Sequence, residues 1–377
     1  MYHVKTMNKI SKIGLAELDD RFAISDTMEH EDAILVRSAK LHDYDFPAEL
    51  KCTRRRAGVN NIPLDRAADA GIVVFNAPGA NANGVKELTI AALLLASRKI
   101  SQGITWVKEQ SAAGADVAAV VEKGKSAYVG PEIMGKTLGV VGLGAIGVLV
   151  ANAAAALGMK IVGYDPFLSV THALNLTPGV EVVDTLPELY AKADYISLHL
   201  PMNDATRGTL NEAAFAAMKD GVRIVNLARG ELVDTPALKA ALDSGKCAAY
   251  VTDFPNSETA AIEGVVAIPH LGASTPESED NCAMMAAREV KEYLDNGSII
   301  NSVNLPNLTM AWAAKTRVCV ISKGADAAAI AGAVPAVASA SNTRGEYAYT
   351  ILDTDAAVDE AAIAAIPGVL RVRVLTR

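Results

Sequence analysis

Short apolar runs closed by turn residues alternate with longer stretches of helical periodicity along most of the chain, the pattern of parallel strands joined by crossover helices. AILVRS (33–38) and GIVVFNAP (71–78) read as strands, the second ended by Pro78 and Gly79. One long helix is expected next, from about Val85 through ELTIAALLLASRKI and on to ITWVKEQ. From Lys136 onward the units come quickly: KTLGVVGLG, an Ala-rich helix in VLVANAAAALG, then KIVGYDP, YISLHLP, RIVNLARG, AAYVTDF and VVAIPHLG. These six strand candidates form one series, which predicts an α/β doubly wound sheet with its ligand crevice beyond the strands' carboxyl ends. SEDNCAMMAAREVKEYLDNG is an amphipathic helix that starts at Ser274, Thr275 and Pro276 and stops near Gly297. Residues 301–315 lack periodicity and read as a linker. Beyond them RVCVIS, EYAYTILD and VLRVRVL are strand candidates around an Ala-rich middle, which predicts a small α+β domain of about 60 residues.

Composition narrows this picture. With 377 residues, 51% of them apolar, the chain is too long for one ordinary core and implies two or three domains. The net charge of −8 comes from both signs scattered along the sequence, which excludes the basic face that nucleic-acid binding needs. The start, MYHVKTMNKI, has no apolar h-region, and no apolar run approaches the roughly 20 residues that cross a bilayer, so a soluble, cytoplasmic protein is expected. Cys52, Cys247, Cys282 and Cys319 are widely separated and form no CxxC pair. They read as reduced core thiols, and no metal site is expected.

Candidate chemistry sits at the strand ends. TLGVVGLGAIG places Gly142, Gly144 and Gly147 in a GxGxxG pattern directly after an apolar strand and at the opening of a helix. The first glycine permits a tight turn, the second lets backbone approach a pyrophosphate, and the third lets helix and strand pack closely. The helix N-terminus then stabilises phosphate charge. Asp165 ends the next strand, where a carboxylate accepts hydrogen bonds from ribose hydroxyls and repels a 2′-phosphate, favouring NAD over NADP. Later strand ends carry Arg229 in NLARGELVD, Asp253 and Glu258 in TDFPNSE, and His270 in IPHLGAST. Removing hydride from a hydroxyl-bearing carbon needs a base for the hydroxyl proton, and an acid substrate needs a cation for its carboxylate. His270 and Arg229 are those residue types, and a carboxylate such as Glu258 would hold the imidazole in one tautomer.

The motifs GLGAIG, HLPMNDAT, NLARGELVD and PHLGAST, in this order, closely resemble the D-isomer-specific 2-hydroxyacid dehydrogenase family. The resemblance implies a catalytic set of Arg229, Glu258 and His270. It implies cofactor contacts from Ala145, Ile146, Asp165, His199, Pro201, Thr206, Ala228 and Asp253, with Gly272 and Ala273 in the loop that meets the nicotinamide end. Arg37, Ser38, Arg54, Gly58 and Asn81 match positions that meet an anionic substrate. The implied fold is a Rossmann-type NAD domain (87–272) inserted in a flavodoxin-like α/β substrate lobe (1–86, with 273–303 returning to it). A linker and a reduced ACT-like α+β domain (304–377) follow. Closure of the two lobes would exclude water from the hydride path, and pairing through the nucleotide-binding domains implies a homodimer or higher homo-oligomer.

The activity implied is NAD-linked oxidation of 3-phosphoglycerate to 3-phosphohydroxypyruvate, the first step of serine synthesis. Alternative acids are glyoxylate, hydroxypyruvate and lactate, and the alternative from another class is a nucleotide-sensing corepressor-like protein. Two departures from the family stand out. Where relatives place small residues, this chain reads Arg54, Arg55, Arg56, Ala57, Gly58, and the extra arginines either block the site or add affinity for an anion. In the tail, SKGADAAAIAGAVPAVASAS is short and poor in polar groups, which argues against control by serine.

Overall fold

The computed structural model describes residues 1–55 and 61–377, and its chain divides into two units, Met1–Ala80 with Glu279–Arg377, and Asn81–Ser278. In the first unit, β1 (Tyr2–Met7), β2 (Phe22–Ser25), β3 (Ala33–Val36), β4 (Cys52–Arg55) and β5 (Val73–Phe75) form a parallel sheet in the order β2-β1-β3-β4-β5. That is the flavodoxin-like order. β3 is buried at every residue, as a parallel strand covered on both faces should be.

The second unit opens with α1 (Ala82–Ser97), α2 (Ile100–Ala112) and α3 (Val117–Gly124). The single long helix expected from the sequence is therefore two. Arg98 leaves α1 with extended dihedrals (φ −116°, ψ 133°). Just before it, the Ser97 hydroxyl donates back to the Leu93 carbonyl and meets the Tyr195 hydroxyl at 2.8 Å, a local alternative that competes with continued helix. β6 (Thr137–Val141), α4 (Ala145–Ala156), β7 (Lys160–Tyr164), β8 (Glu181–Val182), β9 (Tyr195–Leu198), β10 (Val222–Asn226), β11 (Cys247–Thr252) and β12 (Val265–Ala267) follow. Their strands pair in parallel in the order β12-β11-β10-β9-β6-β7-β8, a Rossmann-type doubly wound sheet that reverses direction between β6 and β9. The strand of this sheet missed in the sequence is β8, two residues long and exposed at both; in the first sheet β1, β2 and β4 were missed as well.

α5 (Pro276–Asn296) begins with the Ser278 amide bonded to the Thr275 hydroxyl at 3.0 Å and ends before Gly297, whose φ is +70°. Its residues Cys282, Ala286, Val290, Tyr293 and Leu294 are buried at helical spacing. The last four share a core with Val4, Leu35, Val73 and Phe75 of the first sheet.

β13 (Thr316–Lys323), α6 (Ala327–Gly332), β14 (Ala338–Arg344), β15 (Tyr347–Thr354), α7 (Glu360–Ala364) and β16 (Val369–Thr376) build an antiparallel sheet in the order β14-β15-β13-β16. β14 was not legible in the Ala-rich segment because it is an edge strand with mostly exposed residues. This sheet finishes α5. Arg373 donates to the carbonyls of Tyr293 (3.0 Å) and Leu294 (2.8 Å), Arg317 to that of Asn296 (2.8 Å), and the Tyr349 hydroxyl to that of Gly297 (2.5 Å). The last carbonyls of a helix have no partner within it and carry its negative end, so two buried cations suit this place. Arg317 is itself fixed by Asp353 through two bonds of 2.7 and 2.9 Å, with both side chains fully buried.

All four cysteines are buried and outside any disulfide, and burial pushes the Cys52 and Cys247 thiols up to about 12. Among the described residues there is no cluster fit to hold a metal ion and no helix long and apolar enough to cross a membrane.

Removing one partner of a buried ion pair leaves an uncompensated charge and typically costs about 3–5 kcal/mol. Arg317→Met is therefore expected to lower stability by about that amount in urea denaturation followed through the whole chain. A loss under about 1 kcal/mol would show that the Arg317 clamp does not hold the sheet to α5.

Candidate active site

The strand order of the second sheet reverses between the paired strands β6 and β9, and the first residues beyond both strands are in contact. After Val141 the chain turns at once toward α4. Gly142 does this at φ +94°, and a Cβ on it would lie 2.6 Å from the His199 carbonyl oxygen. A Cβ on Gly147 would lie 1.9 Å from the Gly142 carbonyl oxygen, so only glycine lets α4 start this close to its strand. Gly144 differs: open space lies before it, and it caps α4 without any side-chain bond. The first amides of α4, with Ala145 and Ile146 half-buried beside them, thus face an open cradle of the kind that takes phosphate.

Asp165 follows β7. Its carboxylate accepts from the Leu143 amide at 2.9 Å and the Phe167 amide at 2.8 Å, which fixes it against the glycine turn with lone pairs to spare for ribose hydroxyls. His199 follows β9 and meets the Ser197 hydroxyl at 2.9 Å. Burial pushes its imidazole down to about 4, so it stays neutral. Pro201 and Thr206 lie in the same loop, closed by the bond from the Thr206 hydroxyl to the Pro201 carbonyl at 2.6 Å.

Asn226 ends β10 and is fully buried. Its amide group donates to the Arg229 carbonyl (2.8 Å) and accepts from the Ala228 (3.1 Å) and Arg229 (3.3 Å) amides, which moulds the turn that presents Arg229. Asp253 follows β11 with 1% exposure. One oxygen accepts from the Gly272 amide at 3.0 Å, while Oδ1 is buried without a partner. Burial raises its carboxyl above the usual range, and the Gly272 amide offsets this in part. A buried acceptor left open is what an amide donor such as a nicotinamide carboxamide requires. The three glycines, Asp165 and this orphaned oxygen together fit NAD.

His270, Gly272 and Ala273 follow β12. The His270 ring packs on Phe254 at 4.3 Å between centroids, and the Arg229 guanidinium lies 5.2 Å from the same ring. Arg229 and His270, predicted from separate strand ends, are thus brought to one place. Glu258 is not joined to them: it is exposed at the start of a short 3-10 turn (Thr259–Ala261), and no hydrogen bond or ion pair links it to His270 among the described residues. Phe254, Asn226 and Ser197 escaped the sequence reading. Only their position one to three residues from a predicted site residue marked them.

The expected substrate positions divide between the units. Asn81 caps α1 in the second without a side-chain bond. In the first, Arg37 pairs with Glu279 at 2.8 Å, and the Ser38 amide donates to Asn8 at 3.0 Å. Arg54 is 2% exposed, bonded to Glu289 (3.1 Å) and the Cys282 carbonyl (2.7 Å), with Nη2 buried and unpartnered. Its strand lies between β3 and β5 inside the sheet, so Arg54 is an interior cation and not part of an exposed basic run. The Arg55 side chain, Arg56 and Gly58 lie outside the described residues.

Residues 90–272 match the family described as D-isomer specific 2-hydroxyacid dehydrogenase, NAD binding domain. Over these residues the chain carries the NAD-binding domain of the D-isomer specific 2-hydroxyacid dehydrogenases. It is 34% identical over 315 residues to the D-3-phosphoglycerate dehydrogenase of Methanocaldococcus jannaschii, covering 81% of this chain and 58% of that one. With the enzyme of that name from Mycobacterium bovis it shares 38% identity over 299 residues, covering 76% and 53%. The chain thus spans little more than half the length of these curated relatives. The NAD+-bound 3-phosphoglycerate dehydrogenase of Entamoeba histolytica superposes with a TM-score of 0.60 at 25% identity, over 81% of this chain and 99% of that one. Within this family the 90–272 stretch is the NAD domain.

His199 makes stability depend on pH with a definite sign. Between its ordinary value of 6.5 and the buried value of about 4, the unfolded chain takes up a proton that the native imidazole refuses. Native stability from this group is therefore complete above pH 6.5 and is lost as the pH falls toward 4. His199→Gln should show a flatter thermal midpoint across that window than the unaltered chain; parallel profiles would remove His199 as the cause.

Proposed function

We propose that this protein catalyses NAD-dependent oxidation of D-3-phosphoglycerate to 3-phosphohydroxypyruvate, the first step of serine biosynthesis. The observation that carries the reading is the meeting of Arg229 and His270 on Phe254 at the carboxyl edge of the nucleotide-binding sheet. The named relatives support the phosphorylated acid over glyoxylate, hydroxypyruvate or lactate.

Bound NAD supplies the hydride acceptor. His270 takes the proton of the 2-hydroxyl as hydride leaves carbon 2, and returns it in the reverse direction. Arg229, free of any acidic partner among the described residues, clamps the substrate carboxylate through parallel hydrogen bonds. Glu258 is assigned the orienting of His270, reached when substrate is bound. Asp253 Oδ1 takes a carboxamide donor, and Asp165 the ribose. The first unit is assigned the substrate lobe, with Arg37 as its cation for the phosphate. The C-terminal sheet has the strand order of an ACT-like βαββαβ unit.

The arm formed by α2 and α3 buries none of its residues, and Leu94, Ile100, Ile104, Val129 and Met134 near it are exposed. Apolar surface of this kind marks an interface, and a second copy of the chain is the occupant assigned. The four reduced, buried thiols accord with the cytoplasm.

Steady-state assays with a panel of 2-hydroxy acids should show preference for 3-phosphoglycerate with NAD, and His270→Asn should cut kcat by about two to four orders of magnitude. Equal rates on unphosphorylated acids would overturn the substrate, and a near-normal variant the role of His270. Sedimentation equilibrium should find a dimer that Ile104→Asp dissociates; a monomeric wild type would overturn the arm.

A further inference from the structure

Arg229 and His270 are exposed, and little besides Phe254 holds their side chains. Arg229 donates only to its neighbour, the Ala228 carbonyl, and the His270 ring makes no hydrogen bond, in each case among the described residues. Phe254 is better fixed. Its amide donates to the Thr252 hydroxyl at 3.0 Å, it follows the buried Thr252 and Asp253, and it is itself half-buried. Gly230 lies against it as well, since a Cβ there would meet the Phe254 carbonyl oxygen at 3.2 Å.

We propose that Phe254 is a positioning residue: its ring is the shared platform that sets both the guanidinium of Arg229 and the imidazole of His270 for the reaction assigned above, on which this inference rests. The face of an aromatic ring carries negative quadrupole density and attracts cations. Arg229 is a cation throughout, and His270 becomes one when it takes the hydroxyl proton. The contact to His270 therefore strengthens as the reaction advances, which is the condition for raising kcat and not only binding. A one-residue change of register along the strand end would break this, because Asp253 and Pro255 offer no such face.

Leucine keeps most of the volume of phenylalanine and lacks the quadrupole, whereas tyrosine keeps both. Phe254→Leu is expected to lower kcat roughly tenfold and raise KM for the acid severalfold, with NAD affinity and thermal midpoint nearly unchanged. Phe254→Tyr should restore both constants to within roughly twofold. A readout independent of turnover is the proton spectrum of the ligand-free protein: the His270 ring protons should carry an upfield ring-current shift that Phe254→Leu abolishes and Phe254→Tyr retains. Wild-type kinetics in the leucine variant, a tyrosine variant as impaired as leucine, or His270 protons indifferent to both changes would each overturn the platform. If the unaltered enzyme turned over no 2-hydroxy acid, the assigned reaction would fail, and the ring-current arm would still decide whether Phe254 holds His270.

Discussion

The second unit depends on the contact between the turn at Gly142 and the carbonyl of His199. In a parallel sheet whose order reverses, the two strands at the reversal send their chains to opposite faces, and a crevice opens between them. Here that crevice closes at its floor to van der Waals contact, so no side chain fits at position 142. Because β6 and β9 also pair directly along their length, the floor is rigid. Asp165 on one side, and Arg229, Asp253 and His270 on the other, are then placed by the strand spacing alone. The chemistry needs little further scaffolding, which is why turns as short as those at Asn226 and Thr252 suffice to aim it.

Electrostatic design in the two units is opposite in kind. In the first, charge is internal and already matched in Arg317 with Asp353 and in Arg373 against helix carbonyls. Such groups stabilise only as complete sets, since a buried charge is tolerable when each of its donors finds an acceptor. In the second, Arg229, Glu258 and His270 stand exposed and incompletely matched, and Asp253 holds one oxygen open. Groups that await a ligand are recognised by that incompleteness.

Much of this was legible in the sequence, for identifiable reasons. The Rossmann strands are continuous apolar runs because both faces are covered, and their glycine turn has a fixed spacing. β8 and β14 escaped because an exposed edge strand has no apolar pattern to display. The break at Arg98 escaped because it depends on Ser97 finding Tyr195, a residue far along the chain. Arg54 read as the first of a run of loop arginines because one-dimensional charge clustering does not show that it lies on a strand inside the sheet. The pairing of Glu258 with His270 was inferred from residue types, whereas in the fold the imidazole is turned to an aromatic face. Phe254 looked like one more apolar residue at a strand end. Its significance lies in two neighbours that are remote in sequence.

The interrupted first unit has a consequence for synthesis. β1 to β5 leave the ribosome before Asn81–Ser278, and α5 and β13, which supply Ala286, Val290, Tyr293, Cys319 and Ile321 to their core, come only after it. Asn81–Ser278 can fold as it emerges, while Val4, Leu35, Val73 and Phe75 wait uncovered through its whole translation. The nascent chain thus carries a sticky, half-built sheet while that stretch is made, and β16, with Arg373 on it, closes the unit.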